Sequence, residues 1–359
     1  MSGLTETLPA ESVDFMIAGQ GLAGSLLAYS LLKYNATVKI VDPQLLVTSS
    51  IVAAGIMHPI TGRRLVKSWQ AEKLLPTAFD IYKSISQLLD SDFFHRTPIL
   101  EIYQSNHHRN DWLARSGEES MIPFISKEIT ADHFPDSVIA PFGGITMQQS
   151  GWMDVRKFVE KSSLFFANKN ILIKGNIDES ELHFKNKKVI WYNISANRLI
   201  FCNGYSGAQS TFFNNLPFLL SKGEIIEIEC ERLLDEYILN KGIYIVPVGN
   251  KRYKVGATFS WKELDQSPSQ DGLNYLTEEL KKIVKIPFKI VNHQAAIRPT
   301  TQDRRPFIGL HKTNPAIGIF NGMGTKGVMM APYYAEQFAR HLLYNEALDG
   351  EVAVSRFND

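Results

Sequence analysis

The sequence predicts an α/β fold with α+β character in a second domain, on three observations. Residues 13–42 read as a strand, a glycine-rich turn, a helix and a second strand; residues 316–343 repeat the strand, glycine turn and helix; residues 225–259 read as short apolar strands separated by turn residues. Two strand–turn–helix units at opposite ends of one chain imply that both ends share a domain, which is then assembled from discontinuous segments.

In the first unit the run Val13, Asp14, Phe15, Met16, Ile17, Ala18 suits a buried parallel strand, and Gly19, Gly21 and Gly24 follow it as Gly-x-Gly-x-x-Gly. The first glycine permits a tight turn, the second lets a pyrophosphate approach the backbone, and the third lets the helix pack closely on the strand. A helix starting near Leu22 directs the N–H groups of Leu22 and Ala23 and a partial positive charge at that pyrophosphate. Leu22, Leu26, Leu27 and Leu31 share a helix face, and Asn35 is its stop signal. Residues 37–41 read as the next strand, with Asp42 at its carboxyl end, about twenty residues beyond the glycines, where a carboxylate accepts hydrogen bonds from a ribose diol. These features predict a Rossmann-like, dinucleotide-binding domain.

Farther along, residues 69–89 have helical spacing, and Asp154 caps a helix through residue 165. Residues 199–202 form a short strand that stops at Asn203-Gly204. Residues 225–230, 243–248 and 253–259 read as antiparallel strands, the last two joined as a hairpin through Gly249-Asn250. Asp271 is read as the cap of a helix through residue 284. The closing strand, 316–320, leads into Asn321-Gly322-Met323-Gly324-Thr325-Lys326-Gly327 and a helix over 327–343, so a second set of backbone donors can face the cofactor. That second turn favours FAD over a nicotinamide dinucleotide, because a flavin ring needs donors near N1 and O2 as well as a pyrophosphate cradle.

Composition narrows the class. The formal net charge is +1, with no basic run long enough to track a nucleic-acid backbone. Cys202 and Cys230 are the only cysteines, too few for a disulfide scaffold and without metal-ligand spacing, as expected of a cytoplasmic protein. No apolar run reaches the ~20 residues of a membrane span. The N-terminus lacks a signal-peptide pattern, and residues 1–11 read as a disordered lead-in. No metal site is expected; His107-His108 is placed in a polar loop without further ligands.

With these elements in place the chain resembles the FAD-dependent oxidoreductases of the D-amino-acid oxidase (DAO) type, which include glycine and sarcosine oxidases. The resemblance rests on GQGLAG, Asp42, Ala53-Ala54-Gly55-Ile56, LIFCNG ending at Gly204, KGEIIEI from Lys222, YIVP from Tyr244, VGAT from Val255, AAIRPTTQDRRPFIG from Ala295 and GMGTKG from Gly322. It implies non-covalent FAD contacted by Gly19, Gly21, Leu22, Ala23, Gly24, Asp42, Ala54, Gly55, Asn203, Gly204, Gly322, Gly324, Thr325, Lys326 and Gly327. It implies a FAD-binding domain of residues 1–85, 145–215 and 300–359, and a substrate-binding domain of residues 86–144 and 216–299. It also implies oxidation of a C–N bond in an amino acid or secondary amine, by hydride transfer to flavin N5 and hydrolysis of the imine, with no dedicated general base. The electron acceptor is left open among oxygen, a quinone and a protein carrier.

The resemblance assigns substrate binding to Arg298, whose planar fork suits a carboxylate; the alternative is a structural ion pair with Asp303. Tyr244 is either a substrate-facing hydroxyl or a core tyrosine. Lys326 is either a cation over the flavin or substrate carboxylate, or a surface lysine. His58 is either a packed histidine or a group that tunes the flavin or binds substrate. Arg63 and Arg64 are either anion-recognising or a solvated pair, and Phe212, Phe213 and Phe218 are core or a domain seam. The sequence departs from the family at Asp303-Arg304-Arg305-Pro306, where many relatives have a small residue after the acid. It also has no cysteine in its final third, against covalent flavin attachment. The segment around His58-Pro59 also resembles the oxidase that modifies wobble uridine in transfer RNA. Three alternatives follow: that activity, a non-catalytic flavin-binding protein, and an NAD-dependent dehydrogenase.

Overall fold

The computed structural model describes residues 11–61 and 65–357. In chain order the elements that build the site are β1 (Glu11–Ala18), α1 (Leu22–Lys33), β2 (Val38–Asp42), α2 (Ala71–Leu88), α3 (Val155–Asn168), β3 (Ile194–Phe201), β4 (Ser221–Glu229), β5 (Tyr244–Gly249), β6 (Arg252–Gly256), β7 (Lys289–Arg298), β8 (Ile317–Asn321) and α4 (Gly327–Tyr344). Main-chain pairing divides the strands among them between two eight-stranded sheets.

The first sheet is parallel at its centre. β1 lies between β2 and β3, with Phe15 opposite Val38 and Ile17 opposite Ile200, and β8 lies beyond β3, with Ile200 opposite Gly318. Both faces are covered there, which is why residues 15–18, 199–201 and 317–320 are continuously apolar instead of alternating. Helices α1 and α4 pack together over one face, and the Tyr82 hydroxyl on α2 donates to Val328 O, 2.7 Å away, tying α2 to the start of α4. Asn35, at φ 62°, ends α1 in the left-handed conformation its side chain tolerates. The second sheet is mainly antiparallel and runs through β7, β4, β6 and β5.

Several elements end differently from the sequence-based expectation. Glu11 belongs to β1, so the expected lead-in does not include it, and residues 1–10 lie outside the described residues. Asp154 does cap α3, accepting from Lys157 N at 3.1 Å, and the helix continues to Asn168. The helix assigned to an Asp271 cap is Gln270–Lys281 and is capped by Ser269, whose hydroxyl accepts from Gly272 N at 3.0 Å. Ser269 wins because the carboxylate of Glu224 already fixes it, taking its N–H at 2.9 Å and its hydroxyl at 2.7 Å. His107 and His108 sit on the helix Asn106–Ser116, not in a loop. The regular strand expected over 253–259 stops at Gly256; beyond it Thr258 and Ser260 still bond to β4 while the chain borders the cavity described next.

Candidate functional site

A cavity of about 620 Å³ lies at the carboxyl ends of β1, β2 and β3 and extends to β4, β5 and β7. Gly19, Gly21, Leu22, Ala23, Asp42, Ala54, Gly55, Asn203, Gly204, Gly324, Thr325, Lys326 and Gly327 line it, together with His58, Tyr244 and Arg298. Of the expected site residues, Gly24 and Gly322 are not in its wall. Gly24 shapes the wall from behind: a Cβ there would lie 1.9 Å from Gly19 O. Gly322, at φ +75°, packs on Thr301 and Phe307.

The glycine turns fit a dinucleotide. Gly19 has φ +106°, and a Cβ on it would stand 2.6 Å from Cys202 O, so only glycine lets β1 and β3 approach at this point. Asp42 is fixed by two main-chain donors: Oδ2 accepts from Gln20 N and Oδ1 from Gln44 N, each at 2.6 Å. Each carboxylate oxygen keeps a further lone pair for a ribose hydroxyl. One donor expected to be free is engaged, since Leu22 N donates to Ser50 Oγ at 3.0 Å. Ser50 also stands 3.0 Å from where a Gly21 Cβ would be, so its hydroxyl reaches the turn from α1's flank. The volume lies within the 300–1,000 Å³ range usual for cofactor sites. Cys202 in the wall keeps its proton, because burial raises its pKa.

The other wall carries three cations, the partly buried Arg298 and Lys326 and the exposed Arg304, and among the described residues no carboxylate. Arg298, at the end of β7, donates to Thr258 O from both Nη1 and Nη2 at 3.3 Å and to Lys222 O at 3.4 Å. Burial lowers its pKa to about 10, so it stays charged at neutral pH. The expected alternative partner is engaged elsewhere: Asp303 pairs with Arg356 at 3.0 Å. Gly223 makes room for the guanidinium, since a Cβ there would be 1.9 Å from Nη2. Lys326 is not a solvated surface lysine; its Nζ donates to Ser68 Oγ at 2.6 Å and Thr61 Oγ1 at 3.0 Å. Burial, and then the charges of Arg304 and Arg305, lower its pKa to about 8.

His58 completes this wall. Its Nδ1 accepts from Ile60 N at 3.2 Å, while burial and then the Lys326 charge lower its pKa to about 3. A neutral ring with Nδ1 accepting carries its proton on Nε2, and Nε2 is buried without a partner among the described residues. The ring stands edge-on to Tyr244, with centroids 5.5 Å apart, and burial followed by the Glu101 charge raises the Tyr244 pKa. The cavity wall therefore carries a neutral imidazole, a phenol and three cations.

Sequence reasoning missed Ser50, Thr61, Ser68, Gly223 and Thr258, all of which position groups in this cavity. Gly223 had a signal, because a glycine inside a strand marks close approach of another group; the hydroxyls had none. Arg63 and Arg64 lie outside the described residues. Among the described residues no group of side chains has the makings of a metal site, and His108 Nε2 accepts from Trp112 Nε1 at 3.2 Å. Phe212, Phe213 and Phe218 belong to the core behind the first sheet.

A family model described as FAD dependent oxidoreductase, DAO, matches residues 14–341. Glycine oxidase of Bacillus subtilis (strain 168) is 28% identical over 148 residues, so the match spans 39% of each chain. The tRNA 5-methylaminomethyl-2-thiouridine biosynthesis bifunctional protein of Leptospira interrogans is 23% identical over an alignment of 396 residues, covering 95% of this chain and 59% of that protein. The crystal structure of glycine oxidase from Bacillus cereus superposes with a TM-score of 0.80 over 93% of this chain and 96% of that one, at 16% identity, which shows a shared fold. No helix among the described residues is long and apolar enough to cross a membrane.

Proposed function

The chain belongs to the DAO family of FAD-dependent oxidoreductases, and on that premise we propose that it oxidises the C–N bond of an amino acid or related secondary amine. Bound FAD supplies a hydride acceptor at flavin N5, and the imine left behind is hydrolysed by water. The observation that carries the substrate class is the pair of partly buried cations, Arg298 and Lys326, that line the cavity and whose hydrogen bonds among the described residues go to carbonyls and hydroxyls.

In this reading Gly19, Gly21, Ala23, Asp42 and the turn from Gly324 to Gly327 hold the cofactor without a covalent bond. Arg298 grips the substrate carboxylate through its fork, His58 supports Tyr244 as a neutral ring in the wall, and Tyr244 confines the substrate carbon. The chain's part is orientation and exclusion of water; no side chain is assigned as proton abstractor. Residues 1–85, 145–215 and 300–359 form the cofactor domain, residues 86–144 and 216–299 form the substrate domain, and the setting is cytoplasmic, consistent with two unpaired cysteines.

An anaerobic flavin-bleaching screen over D-amino acids, N-methyl amino acids, proline-like imino acids and modified nucleosides tests the reading. Bleaching by an amino-carboxylate supports it; a flavin-loaded protein that no panel member bleaches is a silent binder. A second reading, oxidation of a modified wobble uridine in transfer RNA, draws on the Leptospira relative, whose similarity runs along 95% of this chain. Bleaching by the nucleosides alone selects it. Reoxidation with oxygen, a quinone or a protein carrier then identifies the acceptor.

Lys326 sets a pH dependence. Its ammonium is charged below about 8, so binding of acetate, an amine-free carboxylate, is expected to be flat below that value and to weaken about tenfold or more as the pH rises through it. Titrations of the flavin spectrum against pH check this, and Lys326→Met should flatten the curve. His58, neutral down to about 3, adds no inflection near pH 6.5.

A further inference from the structure

We propose that Phe259 and Trp261 form a stacking subsite at the rim of the cavity, which takes a planar aromatic ring carried by the amino-carboxylate substrate. Phe259 lines the cavity, yet 46% of its surface is exposed, so it stands where the cavity opens to solvent. Trp261 continues the wall outward: it is 59% exposed, and the two rings meet edge to face with centroids 4.7 Å apart. Scattered exposed aromatics need no explanation, but two in contact at the edge of a binding cavity do.

The segment that carries them is held in place. Thr258 N donates to Glu224 O at 3.1 Å, and Lys222 and Ser260 exchange main-chain hydrogen bonds of 2.8 and 3.0 Å. Lys222, 4% exposed, pairs with Asp265 at 2.8 Å, and Ser269 N donates to the buried Glu224 carboxylate at 2.9 Å. The aromatic pair is thus presented by a loop pinned before, between and after it, so stacking a ring on it requires little further ordering.

Arg298 fixes the register. Its guanidinium carbon stands 5.6 Å from the centre of the Phe259 ring. A carboxylate on Arg298 therefore leaves the rest of the molecule beside Phe259, and a substituent directed outward crosses Trp261. The subsite rests on the carboxylate role of Arg298 and deepens it: the preferred substrates carry an aromatic ring on the amino-carboxylate, and glycine-sized molecules use only the inner part of the cavity.

Titration of the flavin spectrum of the FAD-loaded protein with acetate, phenylacetate, indole-3-acetate and cyclohexylacetate tests this without turnover. The two planar ligands should bind about tenfold or more tighter than acetate, with cyclohexylacetate falling between. In Trp261→Ala that advantage should collapse while acetate affinity holds, and Trp261→Phe should restore most of it. Acetate binding with no preference for planar rings, or a preference that survives Trp261→Ala, overturns the subsite and leaves the carboxylate reading standing. Failure of every carboxylate to bind overturns both. A change in molar mass of Trp261→Ala in solution with an unchanged ligand order assigns the patch to self-association and overturns the subsite as well.

Discussion

Arg298→Ala is expected to lower kcat/KM for an amino-carboxylate substrate by about 30- to 5,000-fold, the equivalent of roughly 2 to 5 kcal/mol for a charge left unpaired in a desolvated site. The upper part of that range is reasonable because among the described residues the guanidinium has no competing anion: its acceptors are the carbonyls of Thr258 and Lys222, which position it and leave its charge uncompensated. Flavin content should stay at the wild-type level, since the guanidinium bonds to Thr258 and Lys222 and to neither glycine turn. Arg298→Lys should recover little, because an ammonium is a point charge and lacks the fork that fixes a carboxylate's orientation. Gly223→Ala should reproduce part of the loss without touching any charge, because the added methyl would occupy the space of the guanidinium. Steady-state kinetics matching wild type in Arg298→Ala would remove the assignment.

Gly24→Ala should cost about 3 kcal/mol or more of stability and most of the bound flavin. A methyl at this position meets main chain, at 1.9 Å from Gly19 O and 3.0 Å from Gly19 C, with Cys202 Cβ at 3.2 Å. Neither Gly19 nor Cys202 can swing aside, so α1 has to move off β1 and the turn between them deforms. Gly204→Ala is the contrasting substitution: its φ is +60°, but nothing lies within 4 Å of the added carbon. The cost there is the left-handed backbone alone, about 1 to 2 kcal/mol. Urea unfolding of the flavin-free proteins and the visible absorbance of the purified proteins measure the two effects. A yellow Gly24→Ala protein with the wild-type midpoint would refute the packing argument.

What could be read beforehand follows from how local each cause is. Gly19, Gly21, Gly24 and Asp42 were legible because the backbone itself requires glycine at set offsets, and the acid follows at the end of the next strand. The antiparallel hairpin through Gly249 was legible because turn residues interrupt two apolar runs. The cradle of Lys326 was not: Thr61 and Ser68 are common hydroxyls with no spacing of their own, and their meaning comes from a lysine more than 250 positions away. Asp303 misled for the complementary reason. It is the acid nearest Arg298 in sequence, but the turn after Thr301 points it at Arg356. Ser269 and Asp271 are comparable caps by type, and Glu224, in a different element, decides between them. The end of β6 at Gly256 was hidden likewise, since the carbonyl of Thr258 is taken by Arg298, which comes from a different strand.

The order of strands in the first sheet constrains how the protein is made. β1 pairs with β3, whose partners begin at Ile194, and β3 in turn pairs with β8, which begins at Ile317. Closing loops of such length is slow relative to forming local contacts, and the early strands have to wait for distant ones. During synthesis the first glycine turn leaves the ribosome long before the second, so the yellow coenzyme cannot be fully enclosed by the nascent chain until residues 322–327 have been translated. Cells short of riboflavin would accumulate this polypeptide in a form with an open apolar cleft, the species on which chaperones and proteases act.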